Sequence, residues 1–116
     1  MAEAKARSMA KSARRYDFYL PLADNDGRLI PAATFDAVER QFFARFGGIT
    51  SQQPEFPLRG AWKEGEQIYL DQIVVVTVLD FRPRGSARFI AELKQDLLHD
   101  FKQLEILITE QALRVH

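Results

Sequence analysis

Asp71-Gln72-Ile73-Val74-Val75-Val76-Thr77-Val78-Leu79-Asp80 sets seven consecutive β-branched or aliphatic residues between two carboxylates, and its reading decides the fold. Such a run, bounded by polar residues and too short for an ordinary helix, reads as a strand. Side chains alternate along a strand, so Ile73, Val75, Thr77 and Leu79 share one face while Val74, Val76 and Val78 share the other. A strand half in water would alternate apolar with polar. This one does not, and the sequence therefore predicts a central strand covered on both faces.

Working outward, Tyr16 to Leu22 alternates in the same period and Asp24-Asn25-Asp26-Gly27 supplies turn chemistry. That acidic turn resembles the opening of a calcium loop, but the twelfth position, where a bidentate Glu belongs, is Phe35. Phe35, Val38, Phe42 and Phe46 then recur at helical spacing, with Thr34 expected as N-cap, Asp36 in the first turn and Gly47 just past the end. Ile49 to Gln52 is a short strand ended by Pro54 and Pro57. Leu58–Lys63 and Glu66–Leu70 form a hairpin about Glu64-Gly65 that leads into the central strand. Ser86 is the expected N-cap of a second helix reaching Lys102, whose core stripe is Ile90, Leu93, Leu97 and Phe101. Leu104, Ile106 and Ile108 close the order as a last strand.

Two successive strand–helix–strand units with right-handed crossovers give a four-stranded antiparallel sheet with two helices on one face, the ferredoxin-like α+β sandwich, with a short hairpin extension. Residues 16–110 form this domain, 1–15 a disordered basic tail and 111–116 a C-terminal tail. The other sheet face needs a cover, and a second copy of the chain, a homodimer, or another protein is the expected one. The interface is expected at Tyr16, Val74, Val76 and Val78.

Arg45-Phe46-Gly47-Gly48-Ile49-Thr50, Gly60-Ala61-Trp62-Lys63, Gly65 and Tyr69 together resemble small uncharacterised bacterial proteins with a Phe-Gly-Gly after the first helix and a Gly-x-Trp hairpin. The resemblance spans residues 16–109. It implies the fold, and no catalytic residue comes with it.

With 116 residues, 47% of them hydrophobic, the chain builds one core. It has no cysteine, which excludes disulfides, thiolate nucleophiles and thiolate zinc sites. No apolar run approaches the roughly 20 residues of a membrane span, so no membrane partner is implied and a cytoplasmic location is expected. Formal net charge is zero, yet residues 1–15 carry five basic residues against one acidic. Lys5, Arg7, Lys11, Arg14 and Arg15 could thus form an arm for nucleic acid or an acidic partner, or merely solubilise the chain.

Three cations crowd the start of the second helix, where the dipole is already positive. Arg82, Arg84, Gly85, Ser86 and Arg88 are accordingly a candidate anion site, unless Asp80, Glu92 or solvent neutralises them. Glu92, Asp96 and His99 share a helix face that could ligate a metal, although one helix rarely completes such a site; a solvated face is expected, and neither metal nor cofactor is implied. Trp62, Tyr69, Tyr16 and Tyr19 could stack bases on a sheet, but core or interface packing is the expected use. Without a coherent catalytic set, the leading expectation is a non-enzymatic interaction module acting through its apolar sheet face. The alternatives are a nucleic-acid accessory protein, or a small-molecule enzyme of the dimeric α+β barrel kind using Tyr16, Tyr19, Arg59 or His99.

Overall fold

The computed structural model describes residues 10–116. Along the chain run β1 (Lys11–Pro21), α1 (Ala32–Phe46), β2 (Thr50–Ser51), β3 (Leu58–Glu64), β4 (Gln67–Asp80), α2 (Ser86–Asp100) and β5 (Ile108–Val115). The sheet is antiparallel in the order β2-β4-β1-β5, with β3 also paired to β4. The fold is ferredoxin-like, with β4 and β1 central.

Strand periodicity divides the chemistry of those two strands. Tyr16, Phe18 and Leu20 of β1 lie opposite Val78, Val76 and Val74 of β4, and all six are buried against Phe35, Val38 and Phe42 of α1 and Leu93 and Leu97 of α2. Phe18 meets Phe42 at 4.4 Å between ring centroids, and Phe101 meets Phe35 edge-on at 5.2 Å. The expected interface at Tyr16, Val74, Val76 and Val78 is therefore corrected: these residues are the helix-covered core. Burial also pushes the Tyr16 phenol up, with Glu110 adding to the effect. Ile73, Val75, Thr77 and Leu79 line the other face and are half-buried. Among the described residues no element covers that face.

One long edge strand is replaced by two pieces. β2 pairs Thr77 and Val76, whereas β3 pairs Gln67 through Ile73, so the Pro54–Pro57 excursion leaves a gap in the ladder. Gln52 fills it, its Oε1 accepting the Val75 N–H at 2.7 Å. Beyond this point β3 and the first half of β4 project as a ribbon closed at Gly65, whose φ of 60° suits glycine. The second strand of this ribbon and the central strand are one continuous β4.

Several boundaries differ from expectation. α1 begins at Ala32 with Pro31 as N-cap, so Thr34 already lies in the first turn and caps nothing. Gly47 ends it as expected, left-handed with its N–H bonded to Phe43 O at 2.8 Å. α2 is preceded by Gly85 at φ 80°, so Ser86 is its first residue and not its cap. Leu104 to Leu107 form a loop, and β5 is Ile108–Val115, so the stretch expected as a tail from 111 is strand. β5 in turn gives Lys11 through Phe18 a partner. The expected disorder of Lys11, Arg14 and Arg15 is thus corrected: backbone pairing holds them, with Ala13 buried and Arg14 bound to Glu110 at 3.1 Å. Lys5 and Arg7 lie outside the described residues. No helix among the described residues is long and apolar enough to cross a membrane.

Candidate functional site

The uncovered sheet face becomes concave where the ribbon leaves the domain. Its floor is Tyr19 and Pro21 from β1 with Asp71 and Ile73 from β4; Gly60, Ala61 and Trp62 of β3 form one side, and Gln103, Glu105, Ile106 and Leu107 the other. The cavity holds about 500 Å³, the size of a small-molecule site. Register places the side chains. Gly60 lies opposite Asp71 and Trp62 opposite Tyr69, so glycine leaves space beside the carboxylate while the two aromatics meet face to face. Their ring centroids are 5.5 Å apart with planes 16° from parallel. Trp62 remains 49% and Tyr69 41% exposed, which leaves aromatic surface for a guest.

The loop from α2 to β5 is held firmly. Lys102 adopts a positive φ of 50°, and the Tyr19 N–H bonds Leu107 O at 3.0 Å. Gln103 donates from Nε2 to Ala23 O at 2.9 Å and to Phe101 O at 3.0 Å. Glu105 binds Lys94 at 2.8 Å and accepts the Ile106 N–H at 3.0 Å. The hydrogen bond from Lys94, followed by that from Ile106, holds the Glu105 carboxyl below the usual range. Asp71 behaves oppositely, because partial burial without a cation raises its pKa. One carboxylate at the rim is committed to an ion pair. The other faces the cavity unpaired by any cation among the described residues.

Farther along the same face, Asp17 accepts from Arg15 Nε at 3.1 and 3.2 Å and from Thr77 Oγ1 at 2.5 Å. Arg15 and Thr77 border a broader groove of about 770 Å³ with Gly47, Gly48, Arg114 and His116. Its polar groups Arg15 and Thr77 are both already bonded to Asp17.

Of the residues expected to bind an anion, Ser86, Arg88 and the Arg82 N–H are engaged within the chain. Asp80, 6% exposed, accepts the Arg82 N–H at 3.0 Å and the hydroxyl of Ser86, itself 1% exposed. Arg45 Nη2 reaches Ser86 Oγ at 3.3 Å while lying 4.9 Å over the Phe89 ring. Arg88 pairs with Glu92 at 3.2 Å. Asp80 is thus tied into the start of α2 by its hydrogen bonds from Arg82 and Ser86, and Arg84 and Gly85 do not line the cavity. His99 pairs with Asp100 at 3.2 Å, and among the described residues no three His, Asp or Glu side chains converge on a metal position. Of the residues expected for an enzyme, Tyr19 lines the cavity, Arg59 lines the reverse side of the ribbon, Tyr16 is core and His99 is solvent-facing. Asp71, Gln103 and Glu105 had not been singled out. A carboxylate inside an otherwise apolar strand, on the uncovered parity, was the available signal for Asp71.

No family model matches this sequence, and no curated protein is similar to it. The fold does have solved counterparts. A phage SAM lyase in complex with S-methyl-5'-thioadenosine superposes with a TM-score of 0.61 at 13% identity, covering 94% of this chain and 93% of the other. A phage SAM lyase in the apo state gives a TM-score of 0.56 at 15% identity over 91% and 89%. These likenesses establish the shared architecture. They also correct the expectation of a non-enzymatic interaction module, since both of these counterparts, matched across nearly their full length, are lyases.

Proposed function

We propose that this chain is a small-molecule enzyme that binds a thioadenosine nucleoside against Trp62 and Tyr69 and cleaves a sulfonium compound of the SAM type. The observation that carries the reading is the 500 Å³ cavity itself, lined by Tyr19 and by Trp62, which stacks on Tyr69 beside it, together with a carboxylate unpaired by any cation among the described residues. The full-length likeness to a lyase seen with S-methyl-5'-thioadenosine supports it as analogy of fold.

The parts suit the chemistry. An aromatic face accepts a purine by stacking and a sulfonium by cation–π attraction. Asp71 pairs with the cationic end of the substrate. Forming S-methyl-5'-thioadenosine from SAM breaks a carbon–sulfur bond, and its electron pair stays on sulfur, which turns from cation to neutral thioether. The aminobutyrate carbon left behind forms a bond to an oxygen of its own carboxylate, closing a lactone, so no water is added and no proton needs an acceptor. Charge disappears along this path, and a cavity drier than water favours the loss of charge.

The test is incubation with SAM followed by mass spectrometry. Wild type releases S-methyl-5'-thioadenosine, and Trp62→Ala and Asp71→Asn each lower kcat/KM by about 10- to 100-fold, a loss of roughly 1.4–2.7 kcal/mol of transition-state binding. Absence of product together with absence of S-methyl-5'-thioadenosine binding overturns the proposal.

A further inference from the structure

We propose that Gln103 makes the cavity selective for a purine that carries a 6-amino group, an inference that rests on the nucleoside reading above. Both N–H bonds of the Gln103 amide are spent, one on Ala23 O and one on Phe101 O. An amide with its nitrogen so committed cannot rotate to exchange donor for acceptor. Its Oε1 has no hydrogen-bond partner among the described residues, and no side-chain polar atom in them is both fully buried and unpartnered. The oxygen is thus accessible, on a residue that lines the cavity. The site presents a fixed acceptor and no matching donor at this point.

An exocyclic amine supplies the proton that such an acceptor needs. A purine lacking the amine leaves Oε1 desolvated beneath the base with nothing to accept, and a 6-oxo purine brings a second oxygen toward it. Discrimination by one unmatched hydrogen bond amounts to about tenfold in affinity. Gln103 acts by touching the base edge and takes no part in bond cleavage.

Calorimetric titration tests this with two probes, S-methyl-5'-thioadenosine and its analogue without the 6-amino group. Wild type is expected to prefer the amino compound about tenfold. In Gln103→Met, which keeps length but has no oxygen, the two affinities converge, because only the amino compound weakens. A Gln103→Met protein that weakens both probes equally and keeps the tenfold ratio overturns the inference and reduces Gln103 to a loop anchor. Equal binding of both probes to wild type also overturns it, without recourse to any variant. Failure of wild type to bind either probe strikes instead at the nucleoside reading, and this inference falls with it.

Discussion

The two faces of β4 are made from the same residues in alternation and do different work. Val74, Val76 and Val78 meet two helices and disappear from solvent, whereas Asp71, Ile73, Val75 and Thr77 stay half-buried beside a cavity. The first set is wholly aliphatic and the second mixes Ile73 and Val75 with Asp71 and Thr77, so composition separates them only in part. What separates them is the element each faces. The helix side has Phe18, Phe35 and Phe42 to fill its space, and among the described residues the open side has a ribbon and a loop at its border. Apolarity thus serves packing on one face and lines part of a cavity on the other.

The contrast is sharpest in stability. Phe42→Ala removes a ring with no solvent exposure that packs on Phe18, and should cost about 3–5 kcal/mol. Val75→Ala on the open face should cost about 1 kcal/mol or less. Urea unfolding of both variants measures the difference. Equal losses would mean that the open face is as fully covered as the core, and would break the distinction.

Next in size is the buried junction between the faces, where β4 ends and α2 begins. Ser86→Ala leaves Asp80 with the Arg82 N–H but without the hydroxyl that also reaches it, and deprives Arg45 of an acceptor. An expected loss of about 2 kcal/mol follows from a buried charge left under-satisfied. Denaturant titration reads it directly, and an unchanged midpoint would show that the junction is solvated.

The fold was legible because its signals are local and periodic. The run from Ile73 to Leu79, the aromatic stripe from Phe35 to Phe46 and the glycine at 47 each specify an element without reference to the rest of the chain. The parity of β4 was legible too, but not which parity the helices would take. That assignment depends on the register with β1, where Tyr16, Phe18 and Leu20 face Val78, Val76 and Val74. The β1 extension to Lys11 was hidden for a different reason: Lys, Ser and Arg bury little and are held by pairing with Gln111 to Val115, a contact about a hundred residues away in sequence. At the arginine cluster the Arg88–Glu92 pair was legible from its spacing of four residues, whereas the Asp80–Ser86 contact forms through a turn. The cavity was least legible, since Tyr19, Trp62, Asp71 and Gln103 come from four separate stretches. Only the Gly60–Asp71 and Trp62–Tyr69 register brings the hairpin part of it together.

The smallest effect isolates the one carboxylate on the open face of β4's apolar floor. Burial raises the Asp71 pKa, which means that the folded protein binds its proton more tightly than the unfolded chain does. The associated stability is fully present below the ordinary aspartate range and is lost as pH rises through the raised folded value. Asp71→Asn carries no charge to desolvate, so it should melt slightly higher than wild type at pH 7 and show no such gain at pH 3. Glu39 on α1, raised by burial and by Asp36, titrates in the same direction in both proteins and cancels in their difference. Thermal melts of the pair across pH 3 to 8 check the sign. A variant that is more stable at neutral pH yet poorer in S-methyl-5'-thioadenosine binding would identify Asp71 as a charge kept at the expense of stability for the sake of the cavity. A variant less stable at pH 7 would instead give Asp71 a structural partner in the folded state, and would place the open face of β4 in the same class as its core.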